Sequence, residues 1–237
     1  VIGQFFTSDY CNGNIRIWTC SSPKETQIIK VDQTGIEAIL SMKSDCLLIS
    51  FTDGTIGVYD IVNRCFLLKN QSGHLNSIFS IQNSPMEKST IVSCSGEGHI
   101  CLYNLDEMQF VQKLYLPINN QIGYILTMKI SPGGGYLICG HSRGFISIYS
   151  LELQKVISVQ QLNNSGIYHL DYHSEKPELL LISFLSNNFC VFDISSFKVL
   201  YTLPKNYTGY FAKFLNSTEI VSCGKNSVLK ISFDNQE

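Results

Sequence analysis

One short pattern recurs through this 237-residue chain and limits what it can fold into more than any other feature. A turn is followed by apolar-x-apolar-aromatic: NGNIRIW ending at Trp18, DGTIGVY at Tyr59, EGHICLY at Tyr103, RGFISIY at Tyr149 and NNFCVF at Phe192. A weaker sixth copy, NSVLKI, ends at Ile231. Successive copies end 41, 44, 46, 43 and 39 residues apart. The intervals subdivide alike. Around Tyr103, strands are predicted at Cys65–Lys69, Ile78–Gln82, Thr90–Cys94 and Ile100–Tyr103, with a turn at Asn83-Ser84-Pro85. The next unit repeats this with Tyr124–Ile130, the turn Ser131-Pro132-Gly133-Gly134-Gly135, and Tyr136–Cys139. All six prolines (Pro23, Pro85, Pro117, Pro132, Pro177, Pro204) fall in predicted connections, as residues that cannot donate to a central ladder do. No stretch sustains a helical period.

A period of about 40–45 residues with this pattern points to a four-stranded antiparallel propeller blade. Strands that are apolar on both faces, as in Ile15/Ile17 with Trp18, suit a small sheet covered by a neighbour on each side. The expected fold is an all-β β-propeller. Three strands open the chain from Gly3–Thr7, four sets of four follow, and three more end at Ile231–Phe233. That is twenty-two strands, about five and a half blades of a seven-bladed ring. One domain is expected over 1–237, with approximate blades at 1–31, 32–72, 73–117, 118–162, 163–204 and 205–237. The chain begins with Val1 and not Met, and is read as a fragment of a longer protein.

These residues resemble the WD-repeat (WD40-type) β-propeller family over nearly the whole chain, from GQFFTSDYCNGNIRIW to Phe233. In that family each repeat ends in Trp-Asp. Tyr59-Asp60 and Phe192-Asp193 keep the aromatic-Asp form, whereas Trp18-Thr19, Tyr103-Asn104 and Tyr149-Ser150 depart from it. Gly73-His74 matches the family's Gly-His dipeptide before a first strand, and Asp53 matches its turn aspartate. The resemblance thus marks Trp18, Asp53, Tyr59, Asp60, His74, Tyr103, Tyr149, Phe192 and Asp193 as structural repeat positions. It also implies a buried Ser-His-Asp-Trp hydrogen-bond network, which is complete in no blade of this sequence.

Catalytic, metal and cofactor chemistry finds little support. His169 and His173 form HxxxH, but on a strand their side chains lie roughly 13 Å apart, too far to share an ion. Gly133-Gly134-Gly135 is followed by a strand and lacks the Lys-Ser/Thr of a phosphate loop. Cys94 occupies a slot nine residues before its aromatic that Ser50, Gly140 and Ser183 fill elsewhere, so a small buried site is expected there and not a nucleophile. No paired carboxylates recur. No catalytic, metal or cofactor residue is assigned. The nine cysteines include no CxxC pair, and the sequons at Asn163, Asn206 and Asn216 are what an Asn- and Ser-rich chain produces by chance. Reduced thiols in the cytoplasm, or in the nucleus, are expected.

Net charge is −2, charged residues are 15%, and Arg16, Arg64 and Arg143 are the only arginines. That argues against a strongly basic nucleic-acid surface and against an arginine-ringed phosphate reader. The longest apolar stretch, Leu179-Leu180-Leu181-Ile182, is far short of the ~20 residues of a spanning helix. Aromatic residues at loops and strand starts, namely Tyr124, Tyr168, Tyr207 and Tyr210, are the candidate partner-binding positions, since tyrosine supplies contact area at low entropy cost. The expected function is a non-catalytic scaffold that binds partner proteins or peptides within a multiprotein complex, without direct nucleic-acid contact or membrane insertion. The alternatives are an assembly subunit of coat or pore type with an open propeller completed in trans, and an enzyme with its site in the axial channel.

Overall fold

The computed structural model describes residues 4–19, 22–31, 34–42, 45–84, 89–107, 109–116, 121–202, 211–223 and 228–232. Its strands form six antiparallel meanders, each in sequence order. The first contains β1 (Gln4–Ser8), β2 (Asn14–Thr19) and β3 (Ser22–Lys30). The second contains β4 (Ile36–Ser41), β5 (Cys46–Phe51), β6 (Thr55–Asp60) and β7 (Cys65–Gln71). The third contains β8 (Ile78–Asn83), β9 (Thr90–Ser95), β10 (His99–Asn104) and β11 (Gln109–Tyr115). These three make one compact unit. The other unit holds the remaining three sheets. They are β12 (Ile125–Ile130), β13 (Tyr136–His141), β14 (Phe145–Ser150) and β15 (Lys155–Gln161); β16 (Ile167–Tyr172), β17 (Leu179–Phe184), β18 (Phe189–Asp193) and β19 (Lys198–Thr202); and β20 (Phe211–Phe214), β21 (Glu219–Cys223) and β22 (Val228–Ser232).

The chain is all-β with propeller-type blades, and its strands follow the expected order of three, four fours and three. The blade count, expected at about five and a half of seven, is corrected to six. The first and last copies of the repeat each organise a separate three-stranded sheet. Pro23 is a second correction: it lies inside β3 and not in a connection. β3 is the outermost strand of its sheet, where a missing N–H breaks no central ladder.

Alternation along each strand explains how the blades stack. In the second unit, Leu180, Ile182, Cys190 and Phe192 pack with Ile138, Ile146 and Ile148 of the preceding sheet. Their neighbours Leu179, Leu181, Phe189 and Val191 pack with Ala212, Phe214, Ile220 and Ile231 of the following one. A strand buried on both faces is apolar at nearly every position, which is why β17 reads LLLISF with Ser183 as its one polar residue. The first unit repeats this logic: Leu47, Ile49 and Phe51 join Ile15 and Ile17, while Leu48 joins Ile78, Ile91 and Tyr103. Each fully buried aliphatic side chain contributes roughly 1.5–3 kcal/mol.

Two register features recur. The third and fourth strands slip by one residue immediately before the aromatic, at Val58/Tyr59, Leu102/Tyr103, Ile148/Tyr149 and Val191/Phe192. The same slip precedes Trp18. The residue passed over on the outer strand, Leu67, Val111 or Leu200, is left exposed. A second bulge lies near the start of the first strand, at Glu37, Phe79, Leu126 and Tyr168. The turn that enters each third strand needs a left-handed residue: Gly54 and Gly144 have φ of 79° and 76°, and Asn187 fills the equivalent place with φ of 62°.

The slot occupied by Ser50, Gly140 and Ser183 is where one sheet meets the first strand of the next. Ser50 Oγ donates to the Ile78 carbonyl at 3.0 Å. A Cβ at Gly140 would strike Ile167 Cγ2, with Ile167 Cβ at 2.8 Å and Thr127 Cγ2 at 2.9 Å. Gly140→Ala should therefore destabilise the chain by about 1–3 kcal/mol through overpacking. Ser183→Ala should be neutral or stabilising, because the buried Ser183 hydroxyl has no hydrogen-bond partner among the described residues. Urea denaturation of both variants checks the contrast.

Candidate interaction surface

The aromatic repeat positions are core anchors. Tyr59, Tyr103, Tyr149 and Phe192 are all buried. Trp18 is half-buried. Its indole Nε1 donates to Thr7 Oγ1 at 2.9 Å, and its ring stacks on Phe5 with centroids 5.9 Å apart.

The residue after the aromatic has a local task, which is to accept amide N–H groups of the next turn. Asp60 Oδ1 accepts from Val62 N and Asn63 N, each at 2.8 Å. Asn104 Oδ1 accepts from Asp106 N at 2.9 Å, Ser150 Oγ from Leu153 N at 3.1 Å, and Asp193 Oδ1 from Ser195 N at 2.8 Å. Asn and Ser can do this work as well as Asp, so the departures from the family's dipeptide leave the turn intact. The bonds from Asn63 hold the Asp60 carboxyl below the usual range. Asp53 caps its own turn through Thr55 N at 3.0 Å and Thr55 Oγ1 at 2.6 Å.

Of the four candidate tyrosines, Tyr124 and Tyr168 are each half exposed. Tyr207 and Tyr210 lie outside the described residues. Tyr124 immediately precedes β12, and Tyr168 is the bulged second residue of β16, strands that pack against each other. The bulge is what turns Tyr168 outward from a strand whose neighbouring Ile167 is fully buried. Leu126 and Leu185 flank Gly166 beside them, their Cδ1 atoms 3.0 and 3.1 Å from where its Cβ would be. Two backbone bonds brace this end: Ser142 N donates to Tyr124 O at 2.9 Å, and Leu185 N to Gly166 O at 2.8 Å. At the other end of the same strands, a cavity of about 580 Å³ lies between the Ser131–Tyr136 turn and Pro177, Glu178, Ile194 and Phe197.

Ionisable side chains on the first strands of this unit are used in packing. His169 Nδ1 lies 3.0 Å from the Ala212 carbonyl, and its ring packs on Phe211 at 3.9 Å. Asp171 Oδ2 accepts from Phe214 N at 3.0 Å, and burial raises its carboxyl. His173, the other half of the HxxxH sequence, accepts from Glu175 N and Lys176 N at 3.1 and 3.0 Å. The two histidines thus serve separate backbone contacts. Cys94 is fully buried and its thiol is pushed up to about 12 by desolvation, which suits packing and not nucleophilic attack.

The sequence reading missed one cluster. His74, His99 and Cys101 are buried together, with their ligand-capable atoms within 4.8 Å of one another. His74 Nε2 lies 3.0 Å from Ser93 Oγ, a surviving Ser-His piece of the family's network. Glu97, at the turn-aspartate position, reaches Leu75 N at 2.7 Å and His99 Nε2 at 3.2 Å, and His74 Nδ1 has no hydrogen-bond partner among the described residues. The only sequence signal was His-x-Cys on a strand, with His74 some 25 residues before His99.

The six sheets define an all-β protein of propeller blades. Residues 65–104, running from β7 through β10, match the family model described as WD domain, G-beta repeat. The resemblance to the WD-repeat family therefore stands, without a subfamily. The chain is similar to a guanine nucleotide-binding protein subunit beta of Nicotiana tabacum, with 32% identity over 100 residues, 42% of this chain and 24% of that protein. It is similar to U3 small nucleolar RNA-associated protein 15 of Schizosaccharomyces pombe, with 29% identity over 125 residues, 52% of this chain and 24% of that protein. It is also similar to Gem-associated protein 5 of Homo sapiens, with 21% identity over 223 residues, 80% of this chain and 14% of that protein. The chain thus spans a quarter or less of the length of these curated relatives.

His141 gives a pH test of the packing. It is fully buried, with Nε2 at 2.8 Å from Ser147 Oγ, and desolvation pushes its pKa down from 6.5 to about 4. The unfolded chain then binds the proton more readily, so this contribution is complete above pH ~6.5 and is lost as pH falls toward 4. The loss is on the order of 3 kcal/mol once both forms are protonated. Thermal unfolding from pH 7 to pH 4 should show His141→Gln with a flatter pH dependence than the wild type.

Proposed function

We propose that this chain is a non-catalytic scaffold that binds partner proteins or peptides through the loop-bearing end of its blades. The observation that carries this reading is the pair of half-exposed tyrosines, Tyr124 and Tyr168, beside exposed Leu185 on adjacent packed sheets. Tyrosine with an aliphatic neighbour offers a large, stiff, amphipathic contact. The strands beneath are fixed by burial, while the loops above can vary without disturbing them. With a net charge of −2, binding rests on hydrogen bonds and aromatic area, and its salt dependence is shallow. The names of the relatives, a subunit and two associated proteins, support a role within assemblies. A direct RNA contact is the competing reading, and ionic strength separates the two because phosphate binding weakens steeply with salt.

The test starts with affinity capture of partners, followed by calorimetry with one purified partner. Tyr124→Ala with Tyr168→Ala should weaken binding about tenfold or more at an unchanged melting temperature, while Leu153→Ser, an exposed substitution in the β14–β15 turn at the opposite end of the same sheet, leaves it unchanged. Unaltered affinity in the double variant, or a steep fall between low and moderate salt, would reject the proposal.

A further inference from the structure

We propose that His74, His99 and Cys101, with Glu97 at the rim, form a binding site for a single zinc ion on one face of the β8–β11 sheet. Strand alternation places His99 and Cys101 on the same face of β10. Ser93 stands opposite Cys101 on β9, and Lys113 stands opposite it on β11. His74 arrives from the connection preceding β8 and stacks on His99, with ring centroids 5.0 Å apart and planes 16° from parallel.

The unpartnered nitrogens make this cluster unusual. His74 Nδ1 is buried and has no hydrogen-bond partner among the described residues. In the tautomer with its proton on Nε2, His74 donates to Ser93 Oγ at 3.0 Å, that hydroxyl donates to the Cys101 carbonyl at 3.4 Å, and Nδ1 is a bare lone pair. His99 Nε2 likewise has no hydrogen-bond partner among the described residues. In the neutral tautomer with the proton on Nδ1 toward the Gly73 carbonyl, the Nε2 lone pair faces Glu97 Oε2 at 3.2 Å, acceptor against acceptor. A proton between those two would leave His74 Nδ1 bare. One cation satisfies both lone pairs, the carboxylate and the Cys101 sulfur together.

Two imidazole nitrogens, a thiolate and a carboxylate are a donor set for tetrahedral zinc. With zinc bound, Ser93 and the Gly73 carbonyl would accept the remaining ring protons and hold each histidine in place. Lys113, opposite Cys101 on the neighbouring strand, acts on the thiol through its charge in the direction that favours the thiolate. Zinc–nitrogen bonds of about 2.0–2.1 Å and a zinc–sulfur bond of about 2.3 Å draw donors to roughly 3.3–3.8 Å of one another. Loading therefore contracts the present 4.8 Å spread and splays the stacked rings so that their in-plane lone pairs converge. The Cys101 thiol proton leaves to solvent as the Zn–S bond forms.

The test is titration of the reduced, chelator-treated full chain with Co²⁺. The expected result is saturation near one equivalent, a thiolate-to-cobalt charge-transfer band with tetrahedral d–d absorption, and displacement of both by Zn²⁺. Cys101→Ser should abolish the charge-transfer band. Glu97→Gln, a rim change that spares the buried face, should weaken affinity about tenfold, and His99→Gln by 10- to 100-fold or more. Zn²⁺ should raise the melting temperature of the wild type and not of His99→Gln. Replacing the exposed Cys11 and Cys65 should change nothing. Absence of the charge-transfer band, or a band that survives Cys101→Ser and vanishes with Cys11 and Cys65, would overturn the assignment. So would equal thermal shifts in wild type and His99→Gln.

Discussion

A first strand can seat against the preceding sheet only if that sheet's second strand is small where the two meet. This contact constrains the rest of the structure. At Gly140 the neighbouring Ile167 leaves no room for a methyl group, and at Ser50 the neighbour's carbonyl is near enough to take a hydrogen bond. Close approach there lets the alternating faces of β5 and β17 bury completely on both sides. Burial in turn stabilises blades whose polar signature is fragmentary. Only the His74–Ser93 and Trp18–Thr7 pieces of the family's hydrogen-bond network are seen among the described residues. Packing of aliphatic faces contributes many times what each hydrogen bond does.

The parts of this fold that were legible in the sequence are those that repeat with a fixed offset. Tyr59, Tyr103, Tyr149 and Phe192 announce the third strands because only a large ring fills the space behind the bulge. Gly54, Gly144 and Asn187 announce the turns because few other residues accept positive φ there. The bulges themselves were not legible, since one extra residue in a six-residue strand leaves no mark on an alternating pattern. Pro23 misled for a related reason: whether a proline breaks a strand depends on which edge is free, and that is a property of the sheet.

Function was less legible than fold. Tyr124 and Tyr168 could be picked out as aromatics near strand starts, yet their exposure depends on a bulge in one case and a strand boundary in the other. The His74–His99–Cys101 cluster was out of reach. Its members come from a connection and from alternate positions of one strand, and that combination matches no ligand spacing of a known motif. The unpartnered His74 Nδ1 and His99 Nε2 become visible only once the folded sheet brings the two rings and Glu97 together.

The slip ahead of each aromatic has an evolutionary side. It releases Leu67, Val111 and Leu200 from the interior by backbone geometry, so their identity carries almost no folding penalty. Each of these sheets thereby holds a site on its own outermost strand where sequence can drift, acquire charge or gain a new contact while the hidden framework stays the same.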